Sequence, residues 1–428
     1  MAKAIIFLPD GMADNRLDKL NNKTPLEYAN TPGMDSIAKA GVNGTFRTLI
    51  DGFPTSSDVA NMSVLGYDPA ECYPGRGPIE AVSQGIKLGP QDIAWRCNLV
   101  NVTREGIMND YSSGHLAEDV AEVLMNDLQK EFGSDLVTFY SGVSYRNLLV
   151  LHGEQFSDKV TYAKPDSSHG EHIDDLVWTA LDQDDVKAQF TVDFIKDLCE
   201  KAAKFLADHS LNKKLKVTAN RIWPWSPGYQ PDFKPFLEKY DGKKGAVISA
   251  VDVVKGIGLC AKMEVIEVAG ATGFIDTNYA GKAAAALEAI KRNDLVYLHV
   301  EAIDECSHLG DLDLKIKAIN DFDSQIVIPV MKGICEMFKN GELDCDINFA
   351  VLPDHPVPIQ LRKHTRTPVP LAICGPNFTP DGVDVYSEIE ALNGSLGLLG
   401  GEDLVRTLIF EKKQTICGDG CADCGGSC

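Results

Sequence analysis

Short runs of apolar residues, each beside acidic or histidine residues, recur along the chain. The runs cover residues 4–8, 295–300, 347–352 and 369–374. Their length and β-branched content are typical of strands buried on both faces of a sheet. The first run ends abruptly at Pro9, Asp10 and Gly11, which favour a loop. We therefore predict buried strands whose ends carry polar loop residues.

Helical patterns alternate with these predicted strands. Residues 279–291 contain a run of alanines, and residues 312–332 place apolar side chains at helical spacing. This alternation predicts an α/β fold with a mainly parallel sheet and helices on both faces. Ligands of such sheets bind outside the carboxyl ends of the strands. A functional site is therefore expected in the loops that follow the strands.

The halves of the predicted sheet are far apart in the sequence. The first strand lies at the N-terminus and the other three lie after residue 290, so a large segment separates them. That segment ends near the polar stretch 241–245. We predict a discontinuous core of residues 1–75 and 244–428, with an inserted α+β domain of residues 76–243.

Composition and charge narrow the classes of function. The chain has 428 residues, of which 44% are hydrophobic, enough for a large core. Its 62 acidic residues outnumber its 41 basic residues, and the formal charge of -21 would repel nucleic acids and anionic membranes. We expect neither as a partner. A site for a phosphorylated metabolite would need local positive charge from Arg, Lys or a bound metal.

The N-terminus does not resemble a targeting segment. Its apolar run is too short for a signal peptide, and no stretch approaches the roughly 18 apolar residues of a membrane span. We therefore expect a cytoplasmic protein.

Four of the twelve cysteines crowd a Gly-rich tail. They are Cys417, Cys421, Cys424 and Cys428. Their spacing is more compact than the separated ligand pairs of usual structural zinc sites. We expect a reduced chain end and assign the tail no role.

Acidic and histidine residues flank the predicted strands. They are Asp10, Asp304, His308, Asp354, His355 and His364. Asp304 and His308 are four residues apart, so they share one face if that segment is helical. Carboxylate oxygen and imidazole nitrogen together suit Mn²⁺, Mg²⁺ or Zn²⁺. The repeated placement beside strands predicts a metal centre at the carboxyl edge of the sheet.

A serine-rich segment supplies a candidate nucleophile. Two metal ions about 4 Å apart would polarise a phosphoryl group and lower the pKa of a coordinated hydroxyl. Residues 54–63 contain small, turn-forming residues before an apolar run and could expose Ser57 at the start of a helix. A serine there can also be a simple N-cap, and both roles are compatible because helix N-termini bind phosphate well.

Several stretches resemble the alkaline phosphatase superfamily and, within it, archaeal-type cofactor-independent phosphoglycerate mutases. The matching stretches are residues 7–14, 57–69, 75–81, 270–279, 301–310 and 354–355. The resemblance implies an alkaline-phosphatase-like core and an inserted lid domain that binds substrate.

The resemblance also implies two metal sites and a reaction. Asp304, His308 and His364 would bind one divalent ion; the other would be held by Asp10, Ser57, Asp354 and His355. Mn²⁺ is the expected metal, with Mg²⁺ or Zn²⁺ as alternatives. Ser57 would accept the phosphoryl group and return it to the same glycerate, interconverting 3-phosphoglycerate and 2-phosphoglycerate without bisphosphoglycerate. The enzyme would serve glycolysis and gluconeogenesis.

The resemblance implies a lid that excludes water and contacts the small phosphorylated substrate. Asp110 is the candidate acid or base. The candidates for substrate contacts are Arg76, His115, Arg146, His169, Arg221 and Lys282. Arginine suits bidentate recognition of carboxylate or phosphate.

One lid motif departs from the mutase pattern. Mutases often carry Asp-Arg-Arg-Ala-Gly-Arg where this chain has residues 110–115, Asp-Tyr-Ser-Ser-Gly-His. A second departure is Asp354-His-Pro-Val-Pro, where the family frequently has Asp-His-Ser-Thr-Pro. Together with the stretch 219–225, Ala-Asn-Arg-Ile-Trp-Pro-Trp, these departures resemble a branch proposed to phosphorylate homoserine, in which Ser57 would pass the phosphoryl group to an amino-acid hydroxyl. A third alternative is a phosphatase, in which water attacks the phosphoserine; the large insertion argues against it.

Overall fold

The computed structural model describes residues 2–410, so the cysteine-rich tail lies outside the described residues. The strands are β1 (Lys3–Pro9), β2 (Gly41–Arg47), β3 (Ile93–Val102), β4 (Met108–Asp110), β5 (Val137–Val143), β6 (Arg146–Leu151), β7 (Arg221–Gly228), β8 (Gly245–Ile248), β9 (Glu264–Ile266), β10 (Leu295–Val300), β11 (Ile347–Val351), β12 (Val369–Cys374) and β13 (Gly397–Gly400).

The α-helices include several single turns and one long helix in the middle of the chain. They are α1 (Pro25–Tyr28), α2 (Pro32–Lys39), α3 (Ser57–Val64), α4 (Pro69–Cys72), α5 (Arg76–Ser83), α6 (Glu118–Phe132), α7 (Val186–Asp208), α8 (Phe236–Lys239), α9 (Asp252–Cys260), α10 (Tyr279–Arg292), α11 (Ala302–Leu309), α12 (Leu312–Phe322), α13 (Ile328–Lys339) and α14 (Asp403–Ile409).

The chain divides into two compact units. The first contains the described residues up to Glu71 and from Lys234 onward, and the second is Cys72–Phe233. The first unit is therefore discontinuous in sequence, and the second is inserted into it.

The first unit is built on an eight-stranded sheet with the order β13-β2-β12-β11-β1-β10-β8-β9. Its central strands β11, β1, β10 and β8 are parallel. β12 runs antiparallel to both of its neighbours, β11 and β2. The mainly parallel α/β sheet predicted from the sequence is thus confirmed, with β12 as the reversed strand.

Helices cover both faces of this sheet, as predicted. Ile5 and Phe7 of β1 pack in one core with Ile37 of α2 and Ala286 of α10. Side chains alternate across a strand, so Ile6 points to the opposite face, where α14 contacts β1 and β11. Burial on both faces explains why these strands are continuous apolar runs.

The second unit contains a smaller antiparallel sheet. Its strand β3 pairs with β6 on one side and β7 on the other, while β5 pairs with β6 and β4 with the end of β3. Trp95 and Leu149 from the sheet pack against Leu124 of α6 and Ile195 of α7. The second unit has the α+β composition predicted for the inserted domain.

Within residues 2–410, none of the helices combines the length and the apolar content that crossing a membrane requires.

Candidate active site

Three acidic residues stand at the carboxyl edge of the large sheet. Asp10 follows β1, Glu301 follows β10 and Asp354 follows β11. These strands are adjacent and parallel, so their carboxyl ends open at one place. Asp10 and Asp354 are fully buried and Glu301 is nearly so. The topology therefore concentrates negative charge in a small, largely dry volume.

One cluster of possible metal ligands contains Asp304, His308 and His364. α11 runs from Ala302 to Leu309 and is capped by Gly310, whose φ of 75° suits glycine. Asp304 and His308 therefore share a helix face. Their atoms Oδ2 and Nε2 are 3.4 Å apart. His364 Nε2 lies 3.5 Å from Asp304 Oδ1 and 3.0 Å from His308 Nε2. The three side chains point at one small space.

A second cluster contains Asp10, Asp354, His355 and Ser57. His355 Nε2 lies 3.6 Å from Asp10 Oδ1, 3.2 Å from Asp354 Oδ2 and 3.2 Å from Ser57 Oγ. Asn61 Nδ2 donates to Asp354 Oδ2 at 2.9 Å and ties α3 to this loop. The structure thus brings together all four residues assigned to the second ion by resemblance.

The two clusters are adjacent, because His355 of the second cluster also lies beside residues of the first. Its ring stacks on that of His364 with centroids 3.7 Å apart. Ligand atoms of His355, Asp304 and His364 also lie within 4.8 Å of one another. Two ions held by these groups would be close neighbours, the arrangement used in two-metal phosphoryl transfer.

The hydrogen bonding and charge of the site fit divalent cations. Asp10 Oδ1, Asp304 Oδ1 and His355 Nδ1 are buried, and among the described residues they have no hydrogen-bond partner. Burial and then repulsion by neighbouring carboxylates raise the pKa of Asp10 well above its usual value. Burial likewise raises the pKa of Asp354. Divalent cations would offset this repulsion between carboxylates. The oxygen and nitrogen donors suit hard or borderline metals such as Mn²⁺, Mg²⁺ and Zn²⁺.

Ser57 is the first residue of α3 rather than its N-cap. Ser56 occupies the N-cap position in an extended conformation. The Ser57 hydroxyl therefore stands at the positive end of the helix dipole, beside His355. A helix N-terminus also offers backbone N–H groups to a phosphate.

His299 and Glu301 border this site and were not singled out from the sequence. His299 Nε2 lies 2.8 Å from Asp10 Oδ2, and its Nδ1 lies 3.0 Å from Ser249 Oγ. Burial, followed by repulsion from Asp304, raises the pKa of Glu301 to about 8. His299 was overlooked because it lies inside an apolar run. A polar residue within a buried parallel strand is the signal that could have found it.

We predict that His299→Gln weakens Mn²⁺ binding about 10- to 100-fold, because groups that orient metal ligands have effects of that size. Isothermal titration calorimetry of the metal-free protein measures this directly. His152→Gln is the matched control, since His152 Nδ1 pairs with Asp92 at 2.9 Å in the second unit. Equal Mn²⁺ affinity in wild type and His299→Gln would contradict the role of His299.

Lys282 belongs to the first unit, on α10, and is fully buried. Its Nζ donates to the backbone oxygen of His299 at 3.0 Å. Burial lowers the pKa of Lys282 to about 8, against an opposing effect of Glu301. This hydrogen bond ties α10 to β10, the strand that carries His299.

A second polar cluster lies within the second unit, around Glu80. The Glu80 carboxylate accepts a hydrogen bond from Arg76 Nε at 2.7 Å and another from Arg96 Nη1. Both guanidinium groups lie over the Trp225 ring, at 5.8 Å and 5.3 Å from its centroid. Arg146 contributes a further positive charge near Arg96. Two arginines that share one carboxylate leave an excess positive charge in this largely buried cluster.

We predict that Glu80→Gln lowers the free energy of unfolding by about 3 kcal/mol, since Arg96 would stay buried without its charge partner. Despite burial, Arg96 and Arg76 lower the folded-state pKa of Glu80. Its stabilisation is therefore present above its unfolded pKa of about 4.3 and is lost as the pH falls through the folded value. Urea unfolding between pH 7 and pH 3 tests both effects.

The control for this prediction is Glu131→Gln, because Glu131 is an exposed carboxylate of the same unit. We expect Glu131→Gln to match wild type within about 0.5 kcal/mol. If the free energy of unfolding of Glu80→Gln fell as much between pH 7 and pH 3 as that of the wild type, Glu80 would not be the source of the pH dependence.

Asp110 is held by its own loop. Its Oδ1 accepts from the Ser112 backbone N–H at 2.8 Å and from Ser112 Oγ at 2.7 Å, and its Oδ2 accepts from the Gly114 N–H at 2.8 Å. These bonds outweigh the effect of burial and lower the pKa of Asp110. His115 lies near Asp110 and also helps to lower the pKa of that carboxyl. The ring of His115 lies 6.4 Å from that of Tyr145. Asp110 is consequently an ionised carboxylate in a fixed position.

The remaining two candidates for substrate contacts are His169 and Arg221. His169 is exposed in a loop. Arg221 lines a separate cavity between β7 and α7. Within the second unit, the described contacts thus place Arg76 and Arg146 at one cluster and Arg221 at the cavity. Arg96 and Glu80 were missed by the sequence reasoning, because neither stands in a polar motif.

The fold and the clusters at its sheet edge define a class. A mainly parallel α/β sheet with two adjacent clusters of carboxylates and imidazoles, one of which includes a serine hydroxyl, is typical of metal-dependent enzymes of phosphoryl transfer.

Comparison with known proteins narrows the class. Residues 38–212 match the family described as 2,3-bisphosphoglycerate-independent phosphoglycerate mutase. The protein of that name from Methanosarcina acetivorans is 45% identical over 413 residues, covering 95% of this chain and 99% of the relative. Its counterpart from Methanothrix thermoacetophila is 43% identical over 412 residues, with 95% and 99% coverage. The chain therefore belongs to the 2,3-bisphosphoglycerate-independent phosphoglycerate mutase family.

Solved structures agree with this assignment. A protein of Pyrococcus horikoshii superposes with a TM-score of 0.76 at 26% identity, covering 97% of this chain and 99% of the other. The cofactor-independent phosphoglycerate mutase from Thermoplasma acidophilum superposes with a TM-score of 0.61 at 26% identity, covering 95% and 99%. The resemblance inferred from short sequence stretches is thus confirmed.

Proposed function

We propose that this protein interconverts 3-phosphoglycerate and 2-phosphoglycerate through a phosphoserine on Ser57, with two divalent ions and no bisphosphoglycerate. The observation that carries the proposal is the position of the Ser57 hydroxyl, at the start of α3 and 3.2 Å from His355 Nε2. The named activity of relatives 45% identical over nearly the whole chain supports the substrate. The reaction belongs to glycolysis and gluconeogenesis, which we expect to proceed in the cytoplasm.

The proposed ligands follow the two clusters. Asp304, His308 and His364 would hold one ion, and the other would be held by Asp10, Ser57, Asp354 and His355. We propose Mn²⁺ as the metal, with Mg²⁺ or Zn²⁺ able to occupy the same oxygen and nitrogen donors. When bound, the ions supply Lewis acidity that polarises the phosphoryl group and lowers the pKa of the serine hydroxyl.

The chain's own residues direct the two transfers. Ser57 Oγ attacks phosphorus and the bond from phosphorus to the C3 oxygen of glycerate breaks, which leaves the phosphoryl group on Ser57. The C2 hydroxyl of the same glycerate then attacks phosphorus, and Ser57 Oγ is the leaving group. In the first transfer the Ser57 hydroxyl loses a proton and the C3 oxygen gains one; in the second the C2 hydroxyl loses a proton and Ser57 Oγ gains one. We propose Asp110, held ionised by its loop, as the base that in each transfer accepts the proton of the attacking hydroxyl and gives it to the oxygen that leaves.

The cluster around Glu80 is the proposed site for the glycerate carboxylate. Arg76 and Arg96 carry one positive charge more than Glu80, and Arg146 adds another, so the cluster can attract a carboxylate. Glu80 fixes the rotamers of Arg76 and Arg96, so the donors are oriented before substrate binds. We propose that the inserted domain acts as a lid that excludes water, which would otherwise hydrolyse the phosphoserine.

Rapid-quench labelling tests the proposed intermediate. The protein is mixed with Mn²⁺ and 3-phosphoglycerate carrying a labelled phosphoryl group, quenched in acid and digested. We expect the label on the peptide that contains Ser57, as acid-stable phosphoserine. Label recovered on another residue, or turnover without protein-bound label at any quench time, would refute the route through Ser57.

A further inference from the structure

The second unit contains a cavity remote in sequence from every proposed ligand of the metal centre. It has a volume of about 570 Å³ and lies between α7, β7 and the loop before Trp178. That volume is in the range of pockets that hold small organic ligands. Arg221, which the sequence marked as an anion-binding candidate, is one of its lining residues.

The inner wall of the cavity is aromatic and apolar. Trp178 and Trp223 line it with their ring centroids 5.0 Å apart and their planes at 41°. Both indole N–H groups donate to backbone oxygens, Trp178 to Pro224 at 2.8 Å and Trp223 to Ala163 at 2.9 Å. Their polar atoms are therefore satisfied within the protein, and the small part of each ring that stays exposed, with Trp178 6% and Trp223 4% exposed, is aromatic carbon.

The rim of the cavity carries more positive than negative charge. Its cations are Lys196, Lys204 and Arg221, and its acids are Asp174 and Glu200. The rim thus carries one net positive charge, opposite in sign to the formal charge of -21 of the whole chain. Arg221 uses one N–H to bind the Asn220 backbone oxygen at 3.0 Å, and a guanidinium has five N–H donors. Arg221 can thus hold a carboxylate while keeping its bond to the backbone.

We propose that this cavity is a binding site for a small aromatic carboxylate. The ring would lie against Trp178 and Trp223, and the carboxylate would accept hydrogen bonds from Arg221. An uncharged aromatic compound would lack the carboxylate that pairs with Arg221. An aliphatic acid would lack an aromatic ring to lie against Trp178 and Trp223. None of the residues that line the cavity is a proposed metal ligand, so the binding test is separate from the test of the proposed reaction.

Calorimetric titration of the full-length protein with indole-3-carboxylate tests the site. We expect saturable binding with a Kd below about 1 mM. Indole-3-carboxamide, which has the same shape without the charge, should bind at least about tenfold more weakly, and so should cyclohexanecarboxylate. Absence of saturation, or equal affinity for the acid and its amide, would overturn the proposal.

Substitutions locate the binding. Arg221→Met should weaken the binding of indole-3-carboxylate about tenfold or more, since a hydrogen bond to a charged group is lost. Lys204→Met, at an exposed position of α7, should weaken it about threefold without risk to folding. Arg104→Met is the control, an exposed arginine of the same unit outside the cavity lining. Unchanged affinity in both cavity variants would place the ligand elsewhere and refute the assignment.

Discussion

Ser57→Ala is expected to reduce the rate of phosphoglycerate interconversion by about 10⁴-fold or more, as the loss of a nucleophile does in other enzymes. The substitution removes only the Oγ that lies 3.2 Å from His355 Nε2. The backbone of Ser57 still accepts the Asn61 side-chain hydrogen bond at 2.8 Å, so α3 should begin at the same residue. A coupled enzyme assay, with circular dichroism to check the fold, makes the measurement.

Ser63→Ala is the matched control for this prediction. Ser63 is a buried serine of the same helix, and its hydroxyl donates to the Val59 backbone oxygen at 3.0 Å. We expect the control to keep its rate within about threefold of wild type while losing at most about 1 kcal/mol of stability. If Ser57→Ala retained more than about one-tenth of wild-type activity, a different nucleophile would be required.

Asp304→Asn is expected to lower activity by about 10³-fold and to remove one of two bound Mn²⁺ ions per chain. Asp304 is buried and its two oxygens face His308 and His364. The histidines hold the pKa of the Asp304 carboxyl well below its usual range despite the effect of burial. An amide cannot replace that charge. Elemental analysis of the purified variant counts the ions.

Asp313→Asn, an exposed position on α12, serves as the matched control and should bind two ions with wild-type activity. Two ions in Asp304→Asn, bound with wild-type affinity, would show that Asp304 is not a ligand. One ion with undiminished activity would show that the second ion is dispensable for the reaction.

The central part of the fold was predictable because burial leaves a strong pattern. Strands β1, β10 and β11 are covered on both faces, so their residues are uniformly apolar and stand out from amphipathic helices. The reversed direction of β12 was not predictable, because an apolar run carries no information on strand direction. β13 was also missed, since Leu398 and its neighbours lie at a half-exposed edge without that pattern.

The convergence of Asp10, Asp304 and Asp354 was predictable from topology, since each was expected in a loop at the carboxyl edge of one sheet. His299 and Glu80 were not, because their importance depends on contacts across the fold. His299 lies on a buried strand and reaches Asp10, 289 residues away. Arg221 was a candidate because arginine binds anions well. Only the folded structure shows that it lines a cavity whose lining does not include Glu80, Arg76 or Arg96.

The most direct test of the central claim is phosphorus NMR of the protein with Mn²⁺ and 3-phosphoglycerate. We expect 2-phosphoglycerate to appear until equilibrium, with no free phosphate, and metal chelation to stop the reaction. Free phosphate alone would identify a phosphatase. No reaction with 3-phosphoglycerate, followed by phosphohomoserine formation when homoserine and a phosphoryl donor are added, would contradict the mutase and identify homoserine as the acceptor.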